Sequence, residues 1–415
     1  MSSLALRSAF DRSRMRAVAD VVAILLAISL PWSTSATGIL AAVYLLVALP
    51  VLRADNLATL RAMPAAWLPI ALVGLGLLGM LWADVSLHER IGGLNPFAKL
   101  LVVPLLMLHF QQSERGRAVL LAFIGSCTVL LAASLVPVVV PPLRWMWGEV
   151  SGVPVKDYIS QSGEFLICAF AALYLAVDFF KAGRRLAALV ALVLAALFVV
   201  DILYVRSGRT AFVTLPVLLI LFGIWLFGWK GLIGALLIGT VVGALAWVSS
   251  PYLRERTMSV FVEIHLYQTE NAVRSSGERL EFWKKSMRFI VEAPVIGHGT
   301  GSIASLFRGA VVGASGASAE ATTNPHNQTF AVGIQLGVAG ILLLWAMWIA
   351  HILLFRAHDF TAWVGLVVVA NSIVGSLFNS HLFDFTQGWI YVVLVGAAGG
   401  ATLRASSPVG IVSGR

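Results

Sequence analysis

Residues 185–228 read RLAALVALVLAALFVVDILYV, then RSGR, then TAFVTLPVLLILFGIWLFG. Two apolar runs of roughly twenty residues flank a short polar hairpin that holds Arg206 and Arg209. A helix rising about 1.5 Å per residue crosses a hydrocarbon core of about 30 Å in such a run. In that core every backbone polar group needs an internal partner, which leaves helices or a closed barrel. Barrel strands would be short and would alternate polar with apolar residues, and these runs do not.

The pattern extends in both directions. Apolar runs fall at residues 17–31, 36–52, 65–83, 96–111, 117–138, 162–180, 185–205, 210–228, 231–248, 327–354, 361–379 and 387–403. The predicted fold class is therefore all-α, a polytopic membrane protein of about twelve transmembrane helices with one large loop. Composition agrees. Only 12% of the 415 residues are charged, against about 25% in soluble domains, and the mean hydropathy is +0.90. The predicted organisation is helices 1–9 within residues 1–248, a periplasmic loop with amphipathic helices over 249–326, and helices 10–12 with a cytoplasmic tail over 327–415.

The net charge of +9 is read as the Lys and Arg excess of cytoplasmic loops, not as a nucleic-acid footprint. Arg53 and Arg61, Arg115 and Arg117, Lys181 with Arg184 and Arg185, Lys230, Arg356 and Arg404 all follow even-numbered runs. Both termini are then cytoplasmic, in what reads as a bacterial inner membrane protein. Arg7, Arg12, Arg14 and Arg16 precede an uncleaved first helix rather than a signal peptide. Cys127 and Cys168 lie inside apolar runs, where a disulfide or metal pair is not expected.

This orientation makes Arg206 and Arg209 exceptional, since their hairpin faces the periplasm. A solvated hairpin is the plain alternative; an anion-binding pair is preferred, because guanidinium forks match phosphate oxygens. The same side carries the 249–326 loop, too long for a turn. Within it, Leu280, Trp283, Met287 and Ile290 recur at helical spacing, opposite Lys284, Lys285 and Arg288, as in a helix lying on a membrane surface. A glycine-rich turn, Gly297-His298-Gly299-Thr300-Gly301, follows Pro294, and residues 309–323 read as a flexible loop. Arg274 and Arg279 add cations. Lys99 lies inside a predicted span, either snorkelling or functional.

The strongest local feature is Asn324-Pro325-His326-Asn327-Gln328. Proline suits a first helical turn, so His326 is expected at a helix N-terminus. The helix dipole there disfavours imidazolium, and a neutral ring is a candidate general base. No phosphate loop, His-Glu-x-x-His, nucleophile elbow or Asp-x-Asp pair is present in the sequence, so no metal or other cofactor is expected.

At these residues the chain resembles the O-antigen ligase and polymerase superfamily. His326-Asn327, nine residues, Gly337, two residues and Gly340 match its signature. Arg279-Leu280, Trp283, Pro294 and Ile296-Gly297-x-Gly299 are also similar, and Arg206-Ser-Gly-Arg-Thr210 looks like its Ser-x-Ser-Arg stretch. Val213 departs from the Leu usual at its position. The resemblance implies a GT-C-like, metal-independent and ATP-independent glycosyltransferase. Such a ligase moves O-antigen from undecaprenyl diphosphate to lipid A–core on the periplasmic face, in lipopolysaccharide biosynthesis. His326 would then be the base, with Arg209, Arg279, Arg206 and Lys99 as diphosphate ligands and Asn327, Gly337 and Gly340 supporting the motif. An O-antigen polymerase, a protein O-oligosaccharyltransferase and a membrane transporter stay open as alternatives.

Overall fold

The computed structural model describes residues 12–51 and 60–406; Arg7 and Arg53 of the charge pattern lie outside them. The described residues hold helices and turns and no strand. Each predicted run is a helix. We number the helices α1 (Arg12–Ser29), α2 (Thr34–Ala48), α3 (Pro64–Gly79), α4 (Leu87–Ala98), α5 (Val102–Gln112), α6 (Gly116–Val139), α7 (Tyr158–Lys181), α8 (Arg185–Val200) and α9 (Arg209–Phe227). They continue as α10 (Trp229–Ser249), α11 (Pro251–Glu270), α12 (Ser275–Glu292), α13 (Ile303–Ala310), α14 (Gln328–Leu354), α15 (Phe360–Ser376) and α16 (Phe385–Ala405).

Among the described residues, eight helical segments are long and apolar enough to cross a membrane, including Leu87–Gln112, where a 3₁₀ turn joins α4 to α5. Three more, α2, α3 and α15, are apolar but shorter. The chain is a multi-pass membrane protein. Its outer surface agrees, because Leu81, Leu186 and Val248 are more than three-quarters exposed. Such an apolar exterior is costly in water and natural in lipid. The interior is close-packed around Trp348, Trp363, Tyr391 and Phe165. Within it, His351 bonds the Tyr391 hydroxyl at 2.6 Å and the Ala65 carbonyl at 2.8 Å.

Sequence boundaries differ where local chemistry overrides hydropathy. The run expected from 96 begins at Leu87, because Ser86 and Glu89 form a reciprocal capping box. The long connection holds three helices where one was predicted. Of these, α12 buries Phe282, Lys285, Ser286 and Phe289. One residue of the expected basic back departs: Lys285 is buried. Its ammonium is held by the carbonyls of Ser318 (2.6 Å) and Glu320 (3.3 Å). Those contacts, and Asn271 to Ser315 at 2.7 Å, tether the segment read as a flexible loop.

The glycine turn is the join between loop and bundle. Inside α14, Gly337 has φ +61° and breaks the helical ladder. The freed groups pair with the incoming turn. His298 and Gly299 donate to the Ile334 and Gln335 carbonyls (2.9 Å each), and Val338 and Ala339 donate to those of Pro294 (2.8 Å) and Val295 (3.2 Å). On the other side, Thr300 donates to the Gly79 carbonyl from its backbone (3.0 Å) and to that of Gly76 from its hydroxyl (2.5 Å). Irregular backbone inside a membrane fold is tolerated where protein groups satisfy it in this way.

A Cβ at Gly337 would lie 2.5 Å from the Val295 carbonyl carbon, besides needing a left-handed φ. Gly337→Ala is expected to lose about 1–3 kcal/mol of stability. A thermal melt in detergent checks this; an unchanged midpoint would show that the break is dispensable.

Candidate active site

His326 is not in the first turn of α14. That helix starts at Gln328, and Asn327 is its cap, with its Oδ1 accepting from Phe330 N at 3.1 Å. Asn327 also donates to the Leu377 carbonyl at 3.1 Å. An amide side chain caps better than the expected proline start, so His326 is pushed one residue outside. It adopts φ +53°, and Asn324 Oδ1 accepts its backbone N–H at 2.9 Å.

The ring is held on a chain of hydrogen bonds. Its Nδ1 lies 3.0 Å from Asn379 Oδ1, and Asn379 Nδ2 donates to the Asp384 carboxylate at 2.7 Å. The carboxylate takes the amide NH₂, so the amide oxygen faces the ring. Nδ1 therefore carries the proton, and Nε2 of the neutral ring carries the lone pair. Phe282 stacks beside it, with ring centroids 6.0 Å apart. Burial, then the Arg279 charge, lower its pKa from the usual 6.5, and the Asn379 bond opposes them. Burial and a neighbouring cation thus both favour the neutral ring.

The arginines converge from two sides. Arg206 and Arg209 come from the bundle, and Arg256 and Arg279 from α11 and α12. The Arg206 and Arg256 guanidiniums lie 5.8 and 5.7 Å from the Tyr158 ring centre, consistent with cation–π pairing. Arg279 is mostly buried and makes no hydrogen bond among the described residues. Burial, then the nearby Arg209 charge, push its pKa below the usual value. Arg209 is already engaged. Its fork grips Glu263, with Nη1 to Oε2 at 2.9 Å, and it also donates to Ser276 and Ser259 at 3.0 Å each. Burial alone would raise the Glu263 pKa, but the bonds from Arg209 and Ser276 hold it at about 2.

Lys99 stands apart from this group. Its ammonium donates to the carbonyls of Phe383 (3.2 Å) and Asp384 (2.6 Å). It thus braces the end of the His326 chain rather than joining the guanidiniums. Beside Asp384, the buried His381 has no partner for either ring nitrogen, and burial pushes its pKa to about 4. Burial likewise raises the Asp384 carboxyl to about 6, against Lys99.

Sequence reading missed Tyr158, Arg256, Glu263, Asn379 and Asp384. Arg256 hides in a charged run that reads as solvated. Asn379-Ser380-His381 and Asp384 carried a signal: polar and ionisable residues crowded into the short gap between two apolar helices.

Residues 194–345 match the O-antigen ligase family. The match supports the O-antigen ligase and polymerase superfamily without separating its branches. No curated protein matches the chain closely enough to count as a relative. The matched segment contains Arg206, Arg209, Arg279 and His326, and also Gly337 and Gly340. It excludes Lys99, Tyr158, Asn379 and Asp384, which fold in from either side of it.

Glu263→Ala removes the carboxylate that the Arg209 fork grips. We expect a loss of about 1–3 kcal/mol in a detergent melt, partly restored by adding pyrophosphate. A variant as stable as the wild type would show that the pair is not structural.

Proposed function

We propose that this chain is an O-antigen ligase, transferring a glycan from undecaprenyl diphosphate to lipid A–core on the periplasmic face of the bacterial inner membrane. The observation that carries this reading is the fixed tautomer of His326, set beside the unpaired Arg279. One group can take a proton while the other receives a developing negative charge.

The chemistry follows from these positions. Nε2 of His326 takes the proton of the acceptor hydroxyl as that oxygen attacks the anomeric carbon. The bond from that carbon to the diphosphate oxygen breaks on the opposite side, so the centre inverts. Arg279 and Arg206, with Arg256, offset charge on the departing diphosphate, and Arg209 joins them by exchanging Glu263 for a phosphate oxygen. A diphosphate is a good leaving group, so neither ATP nor a metal is called for. An apolar groove of about 640 Å³ between α7, α8, α9 and α10 suits the isoprenoid tail. Its end, at Tyr204 and Leu253, adjoins the Arg206 hairpin, where Tyr252 bonds the backbone of Ser207.

The reading predicts that His326→Ala folds but loses about 10²–10⁴-fold in transfer rate. Arg279→Ala should lose about 10²–10³-fold. The test offers lipid A–core, a second lipid-linked glycan and a protein acceptor to the purified chain with one donor. Glycosylated lipid A–core identifies a ligase, and lengthened lipid-linked glycan a polymerase. Full activity of His326→Ala would falsify the base assignment.

The pH profile gives an independent check. The base works unprotonated and its pKa lies below 6.5, so the rate should be flat around pH 7. It should fall as pH drops below about 6, where Asp384 also gains a proton. An acid limb centred above pH 7 contradicts the assignment.

A further inference from the structure

A second, polar cavity of about 320 Å³ lies against Asn324 and Pro325, the two residues before His326. Gly92 and Pro96 of α4, Ala304 of α13, Asn324 and Pro325, and Asp384 are among the residues that enclose it. Its wall is built from the groups that hold the base. Asn324 Oδ1 accepts from His326 N and, at 2.7 Å, from Ser380 Oγ. Asn324 Nδ2 donates at 2.9 Å to the same Asn379 oxygen that takes His326 Nδ1. Asp384 anchors that amide. Whatever fills this cavity lies within one turn of chain from the base.

The cavity has the opposite chemistry to the arginine cluster. None of the four guanidiniums lines it. Its charged groups are the carboxylates of Glu89 and Asp384, together with amides from Asn324 and Gln335 and hydroxyls from Thr323 and Ser380. The nearby cations are engaged: Arg308 with Glu89 at 2.7 Å, and Lys99 with backbone carbonyls. One oxygen of Asp384 accepts from Asn379 and the other has no partner among the described residues. Phe383 adds an apolar wall. Carboxylates and amides accept from sugar hydroxyls, an aromatic face covers the C–H side of a ring, and a diphosphate is repelled. The volume is near the lower end of the ~300–1,000 Å³ range for small-molecule sites, which suits one or two rings rather than a chain. Leu87 and Ile91, on the helix that forms the mouth, are more than half exposed, which suits a saccharide carried on a lipid.

We propose that this cavity binds a sugar of the acceptor glycan next to the terminal one, whose hydroxyl reacts at His326 Nε2. The assignment rests on the ligase reading and adds to it where the acceptor sits. The donor's first sugar is not the occupant, because its bond to the diphosphate keeps it at the arginines.

Gly92 supplies the test. It lines the cavity, and a Cβ built there meets no atom within 4 Å. A side chain at Gly92 thus starts without displacing backbone, and Gly92→Phe adds bulk to the wall of the cavity, whereas a Cβ on its neighbour Gly93 would lie 2.4 Å from Gly301. With the purified full chain and one lipid-linked donor, Gly92→Phe should raise the KM for lipid A–core about tenfold or more. The donor KM should not change, and Gly92→Ala should behave as wild type. Ala304→Phe, from the opposite wall, should act in the same direction, and a thermal melt checks that each variant folds. Direct binding separates the two readings. His326→Ala should still bind lipid A–core, and His326→Ala combined with Gly92→Phe should not. An unchanged acceptor KM in both folded filling variants, or a raised donor KM instead, overturns the acceptor site. Activity of His326→Ala overturns the base reading alone.

Discussion

The interlock of the glycine turn with the broken helix α14 is the constraint on which the rest depends. At Gly337 the helix gives up its own ladder, and backbone of residues 294–299 takes the released positions. Thr300 then ties the same turn to α3. Backbone bonds of this kind are obligatory in an apolar setting, so the turn cannot slide. Because α12 runs directly into it, the position of Arg279 relative to His326 is fixed through the backbone and not through side-chain packing alone.

The second organising fact is a separation of charge. Four guanidiniums gather near His326, and none of them lines the cavity beside Asn324 and Pro325, whose charged groups are two carboxylates. The His326 ring favours its neutral form and points its free nitrogen by way of an amide rather than a carboxylate. An amide fixes the tautomer without the strong rise in basicity that a charged partner brings. That keeps the ring unprotonated beside an acidic cavity and a buried guanidinium.

Much of the fold was legible in the sequence. Long apolar runs report helices directly, and each of the twelve is helical among the described residues, eight of them in segments long and apolar enough to cross a membrane. What was not legible is set by pairing instead of hydropathy. The helix α4 starts nine residues before its apolar run because a capping box begins it, and α11 lacks an apolar stripe to announce it. At the site, His326, Arg206, Arg209 and Arg279 were readable because charged or titratable residues at the ends of apolar runs stand out. Asn379 and Asp384 were not chosen, since their importance comes from facing the turn before α14, some fifty residues away along the chain. The roles of Arg209 and Lys99 could not be read either, because each depends on a partner that spacing does not disclose.

The grip of Arg209 on Glu263 has a consequence for the resting protein. Guanidiniums drawn together without a counterion repel one another, and the two halves of the cluster sit on different parts of the molecule, the bundle and the loop. Glu263 occupies the fork and ties the two halves together. Under the proposed function it is a surrogate for the diphosphate. An arriving diphosphate would then displace it, and the freed carboxylate, left beside the incoming negative charge, would favour departure once the glycan has gone. On that reading the same side chain both joins the cluster and discourages the spent carrier from staying.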